Sequence, residues 1–267
     1  MYRLKEWIPL NKLDVALLSA NPNAIHLLEQ NINEVDWREL SSNPNAIHLL
    51  KKQNIHWCEL SRNINAIHLL ESNLHKVCWH KLSSNPNAIH LLERFPDFID
   101  WRELSMNPNA IHILEANIQL IYWRELSSNS NAIHLLEQNR DKIDWEELSA
   151  NPNAVHLLEQ NRDKIDWSGL SLNPNAIHLL EQNRDKIDWV WLSLNPNAVH
   201  MFPDNINKLN WVCLSDNVNA IDLFKLYPYD WSWAWISSNP SIFEYDYTSM
   251  RQNRHDIKME LLKLYIE

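Results

Sequence analysis

Nine histidines recur at one position of a repeated motif: His26, His48, His68, His90, His112, His134, His156, His178 and His200. Imidazoles at a fixed period invite metal ligation, proton transfer or pH sensing. A metal ladder needs side chains of adjacent repeats to converge. Stacked helices lie about 8–10 Å apart, whereas each nitrogen on a zinc approaches to about 2.0–2.1 Å. No cysteine or aspartate accompanies the histidines at ligand spacing. The column is therefore expected to be a structural ladder on a polar face, each ring bonding a neighbouring asparagine or backbone group, with no metal and no cofactor. Protonating all thirteen histidines of the chain would move its formal charge from −10 to +3. pH sensing is thus the weaker functional form of the same column.

Two further columns recur with the histidines. Asparagines at positions 1 and 3 of the motif suggest a ligand ladder, but such residues more often cap helices and satisfy buried turn groups. Arg140, Arg162 and Arg184 line up as a basic stripe, yet Asp141, Asp163 and Asp185 follow directly, then Lys142, Lys164 and Lys186. Alternating signs describe a solvated, salt-bridged surface. The acidic total disfavours a nucleic-acid reader. The off-period histidines His56, His75, His80 and His255 have no matching nucleophile or paired acid, so no catalytic residue is assigned.

The elements that carry these columns follow from the repeat. The string NPNAIHLLE or a variant begins at Asn21, Asn43, Asn63, Asn85, Asn107, Asn129, Asn151, Asn173, Asn195 and Asn217, at intervals of 22 residues except 20 after Asn43. A degraded eleventh copy starts at Asn239-Pro240. Each unit reads as two short helices. The first is expected to start at the asparagine, with Asn173 as N-cap and Pro174 at N1 in the eighth unit. The second starts at the aspartate; Asp36-Trp37-Arg38-Glu39 resembles a capping box. Helices under about 12 residues are marginal alone, so stability must come from stacking neighbours. The fold class is all-α: an α-solenoid of about ten 22-residue repeats with N- and C-terminal caps. The expected divisions are a cap over 1–20, the solenoid over 21–238, and a C-terminal cap over 239–267 with an amphipathic helix near 249–266 carrying Ile257, Leu261, Leu264 and Tyr265.

Helical phase puts motif positions 4, 5, 7 and 8 (Ala, Ile, Leu, Leu) on one arc and Asn, His, Glu and Gln on the other. Ile25, Leu28, Ile47 and Leu50 are expected in the core, with Ile143, Trp145 and Leu148 from the second helix. Ten of the fourteen tryptophans share the register of Trp145. The chain has one glycine, Gly169, which rules out Gly-rich phosphate loops and folds that need positive φ at many turns. Three cysteines without a CxxC, no apolar leader and no span point to an intracellular, non-secreted protein without a membrane role.

NPNAIHLLE repeats joined by IDWxxLS resemble a repeat family of giant DNA viruses of the Mimivirus type and their relatives. The resemblance covers about 218 residues. It implies a viral origin and a repeat scaffold, located in the host cytoplasm or viral factory, and no particular chemistry. Asp222 departs from the motif at the histidine, and Ile64, Ser130 and Val218 depart at the proline. The short second unit is expected to alter curvature locally.

The most informative deviation lies at positions 18, 19 and 22. Charged pairs such as Arg38-Glu39 and Arg102-Glu103 give way to Ser168-Gly169, Val190-Trp191, Val212-Cys213 and Ala234-Trp235, with Leu172 and Leu194 at position 22. An apolar stripe of this kind marks either an interaction surface or the seat of a folded-back C-terminal segment. The fold-back is the expected arrangement; without it, the stripe is a surface for a protein partner or a homo-oligomer. The functional expectation is a non-enzymatic scaffold for protein–protein interaction or self-association. The alternatives are a nucleic-acid-binding repeat protein and an enzyme.

Overall fold

The computed structural model describes residues 2–228, 231–252 and 254. It is helical apart from two short strands, with helix pairs recurring at the period of the motif. The seventh unit is representative: helix Val155–Gln160, a single 3-10 turn Arg162–Lys164, then helix Trp167–Leu172. The short 3-10 element is an addition to the expected pair.

The first helix starts later than the asparagine. Its N-cap is the alanine at position 4, as at Ala176 before Ile177–Gln182. The Asn-Pro-Asn segment is a turn: Asn173 Oδ1 accepts from the Asn175 N–H at 3.0 Å, and the Ala176 N–H donates to the Asn173 carbonyl at 3.2 Å. The asparagine side chain is thereby free to act between units. Asn173 Nδ2 donates to the Ser149 and Asn151 carbonyls of the preceding unit at 3.1 and 2.8 Å. Asn175 Nδ2 donates to the Pro152 carbonyl at 2.9 Å.

The second helix is capped as expected at its aspartate, since Asp36 Oδ1 accepts from the Arg38 and Glu39 N–H groups at 2.8 and 3.1 Å. The reciprocal half of the box is supplied from elsewhere. The Asp36 N–H donates to Ser19 Oγ of the preceding unit at 2.9 Å. Every such serine is buried, and the hydroxyl donates back to a carbonyl in its own helix, as Ser41 does to Trp37 at 2.7 Å.

Three columns form the centre of the core. Ala24, Leu28 and Leu40, with their equivalents in most units, are at or near full burial. Phe202 and Phe224 fill the Leu28 position in units nine and ten. Leu28, Ile143 and Leu148 are buried as expected, whereas Ile25, Ile47, Leu50 and Trp145 are only half-buried. The whole tryptophan column lies at the rim of the core, one face covered by the next unit. Lys76, Lys142, Lys164, Lys186 and Lys208 each lie 4.5–4.8 Å above the indole of the preceding unit. In the fourth unit Phe98 takes the lysine's place, stacked on Trp79 at 4.9 Å.

The second unit absorbs its two missing residues in its first half, where a 3-10 turn Ile47–Leu49 replaces the helix. Its bonds to the next unit are unchanged: Asn63 Nδ2 reaches the Ser41 and Asn43 carbonyls, each at 3.0 Å.

The two end segments do not sit at opposite ends of an open stack. Strand β1 (Tyr2–Leu4) pairs antiparallel with β2 (Phe243–Tyr245), with Tyr2 opposite Tyr245, Arg3 opposite Glu244 and Leu4 opposite Phe243. The Asp14 N–H donates to Ser237 Oγ at 3.0 Å, as Asp36 does to Ser19. Asn21 Nδ2 donates to the Ser237 and Asn239 carbonyls at 3.1 and 2.9 Å, and Asn23 Nδ2 to the Pro240 carbonyl at 3.0 Å. The same bonds join most of the other units, as Asn43 and Asn45 show one unit on. The ladder returns on itself, and the solenoid is a closed ring. Its eleventh unit is split: Asn239–Phe243 supplies the first half, and Asp14 with helix Val15–Leu18 supplies the second. Asn239 does act as an N-cap here, accepting from the Ser241 N–H at 2.9 Å, with Pro240 at the start of the turn.

Gly169 has a packing reason. No residue among those described has positive φ, so its freedom is unused. A Cβ there would lie 2.8 Å from the Glu146 carbonyl oxygen of the preceding unit. The Gly169 N–H also donates to Asp166 Oδ1 at 2.6 Å.

Candidate interaction surface

The second helices present positions 18 and 19 along one edge of the ring. Position 18 of one unit reaches position 19 of the next. Arg38 pairs with Glu59 at 3.2 Å, Arg124 with Glu147 at 3.0 Å, Arg102 with Glu125, and His80 with Glu103 at 3.4 Å. Glu147 and its neighbour Glu146 draw Arg124 further toward its charged form, raising its pKa. Position 18 also reaches position 16 of the next unit: His80 Nδ1 lies 2.8 Å from Asp100 Oδ2, and the Ser168 hydroxyl donates to Asp188 Oδ2 at 3.2 Å.

The ion pairs end at Glu146, whose counterpart in the next unit is Gly169. From there the same register carries Val190, Trp191, Val212 and Trp235, all of them exposed large apolar residues at 37–51%. Leu172, Leu194, Cys213 and Ala234 sit half-buried beside them. The structure thus brings the expected stripe together.

Closure extends the stripe by one residue that the sequence alone did not mark. Leu17 occupies position 19 of the split unit, next in register after Trp235, and is 40% exposed. The sequence does carry its signal, because residues Asn11–Ser19 align with the second half of a repeat, but its place beside Trp235 depends on the ring. Of the expected C-terminal helix, residues 247–252 are helical, with Asp246 Oδ1 accepting from the Ser249 N–H at 3.0 Å. Ile257, Leu261, Leu264 and Tyr265 lie outside the described residues.

The histidine ladder resolves into hydrogen-bonded contacts with glutamates rather than bonds to asparagine or backbone. His48, His90, His112, His134, His156, His178 and His200 each place Nε2 2.8–3.1 Å from the position 9 glutamate of the preceding unit. His68 is an exception because Lys51 replaces that glutamate. His26 is the other: its ring meets Phe243 edge-on at 6.0 Å, and burial there lowers its pKa against the opposing pull of Glu29. Asp222, which departs from the column, faces Lys5 across the closure at 3.5 Å.

No protein-family model matches this chain, and no curated protein or solved structure matches it either. Among the described residues, no group of three or more histidines, cysteines or carboxylates is placed to hold a metal ion. No helix among them is long and apolar enough to cross a membrane.

Proposed function

We propose that this ring is a non-enzymatic protein-binding scaffold, and that its docking site is the apolar arc running through Val190, Trp191, Val212, Trp235 and Leu17. The observation that carries this reading is the exposure of five large apolar side chains at positions 18 and 19 of an edge that is mostly charged elsewhere. Apolar surface gathered in this way gains free energy when covered, at roughly 25 cal/mol per Å². Glu146 stands two units before Val190 on the same edge, and the chain carries a net charge of −10. Charge complementarity therefore favours a partner that presents an apolar strip flanked by basic residues. The resemblance to giant-virus repeats adds a viral origin and a place inside the host cell to the same reading.

The lysines of the basic stripe are drawn onto indole faces, which supports a protein partner over a phosphate backbone. A photo-cross-linking residue at Val212, with one at His134 as control, tests the reading in cells making the intact chain. Discrete protein adducts from position 212, abolished by Trp191→Glu and absent from position 134, are expected. Equal adducts at both positions, or none, would overturn it; an adduct to a second copy would make the partner the protein itself.

A further inference from the structure

Two of the three cysteines face each other across one unit boundary. Cys58 is the second residue of helix Trp57–Arg62, at position 18 of its unit. Cys78 is the N-cap of helix Trp79–Ser83, at position 16 of the next. This is the register that places His80 2.8 Å from Asp100 and Ser168 3.2 Å from Asp188. The same register sets the two thiols beside one another, and the neighbouring Cys78 thiol, together with burial, pushes the Cys58 pKa up. Cys58 is exposed and Cys78 half-buried. The Cys78 backbone is fixed by its N–H, which donates to Ser61 Oγ at 3.0 Å, while its side chain caps nothing.

We infer that Cys58 and Cys78 form a dithiol modification site that closes as a disulfide between the second and third units on exchange with a low-molecular-weight disulfide. The exposed Cys58 is the point of entry. Its thiolate attacks one sulfur of the small disulfide, breaking that S–S bond and releasing one small thiolate. Cys78 then gives up its proton and attacks the Cys58 sulfur of the mixed disulfide. The Cys58–Cys78 bond forms and the second small thiol leaves. Two protein thiols are oxidised and one small disulfide is reduced to two thiols, so electrons and protons balance. No cysteine of another unit stands in the corresponding register to Cys213, which leaves that residue without a partner for the same reaction.

The site departs from the rest of the edge in charge as well. Lys81 stands where the neighbouring boundaries carry Glu59 and Glu103, so the Arg–Glu pairing of the edge is interrupted at the thiols. The interruption and the dithiol coincide at one boundary.

The test treats the reduced, intact protein with oxidised glutathione under native conditions. Free thiols should fall from three to one, with no glutathione retained and a reductant-sensitive link between the peptides holding residues 58 and 78. In Cys78→Ser, whose fold is checked by circular dichroism, glutathione should stay on Cys58. Persistence of three thiols, glutathione retained on wild-type Cys58, a link to Cys213, or an unmodified Cys58 in Cys78→Ser would each overturn the inference.

Discussion

Asn21 Nδ2 donates to the Asn239 carbonyl at 2.9 Å, the bond that Asn43 makes to Asn21 at 3.0 Å. One boundary of the ring is thus formed by residues far apart in sequence, yet its hydrogen bonds match those between consecutive units. This equivalence sets the first two predictions.

Asn107 is fully buried and holds three bonds: its Nδ2 to the Ser83 and Asn85 carbonyls, and its Oδ1 from the Asn109 N–H. Asn107→Ala leaves those groups buried without this partner. A loss of about 3 kcal/mol is expected, since each orphaned buried group costs roughly 1–3 kcal/mol. Urea unfolding measures it, and a loss below about 0.5 kcal/mol would contradict the ladder's role.

Asn21→Ala should destabilise the protein as much as Asn107→Ala, by about 3 kcal/mol. In an open stack the first asparagine would lack a preceding unit, and its removal would be nearly silent. Comparing the two variants under the same conditions therefore reads the closure directly.

Gly169→Ala should cost about 1–3 kcal/mol through overpacking. The clash is with the backbone oxygen of Glu146 at 2.8 Å, which cannot rotate aside as a side chain could. Helix propensity alone favours alanine over glycine by roughly 1 kcal/mol, so a stabilised variant would show that the boundary opens freely.

The closure should weaken in mild acid through His26. Burial beside Phe243 holds its folded pKa below the usual 6.5. The unfolded chain then binds the proton first, so the stability His26 contributes is present above its unfolded pKa and is lost as pH falls through the folded one. His26→Phe should lessen the drop in thermal midpoint between pH 7.5 and pH 5. An unchanged drop would assign the acid sensitivity elsewhere.

Much of this architecture is legible in the residues. The period, the aspartate caps and the inter-unit work of the asparagines follow from recurrence and capping chemistry. The start of the first helix does not, because Asn173 could cap its own helix or bond backward, and only the stacked neighbour decides. Helical phase put His, Glu, Asn and Gln on one arc but could not give the offset that brings His134 to Glu115. The tryptophans were expected deep in the core because of their size. They lie at its rim because alanine and leucine already fill the centre, leaving the indoles to accept the lysines. Leu17 was hidden for a different reason: ring closure is a property of the sum of small rotations per unit, and no single repeat encodes it visibly.

The split unit also orders the events of folding. Asn43 finds its partner 22 residues back along the chain, whereas Asn21 must wait for a residue 218 positions ahead. Loop-closure entropy rises with that separation and local contacts form first. During synthesis the consecutive units can assemble one by one behind the ribosome, each on the last, while Leu4, Asp14 and Asn21 remain uncovered. Only when Ser237 to Tyr245 emerge does the last boundary shut. Until then the growing stack carries a sticky leading edge, and that interval is when a second nascent copy could be captured in place of the chain's own tail.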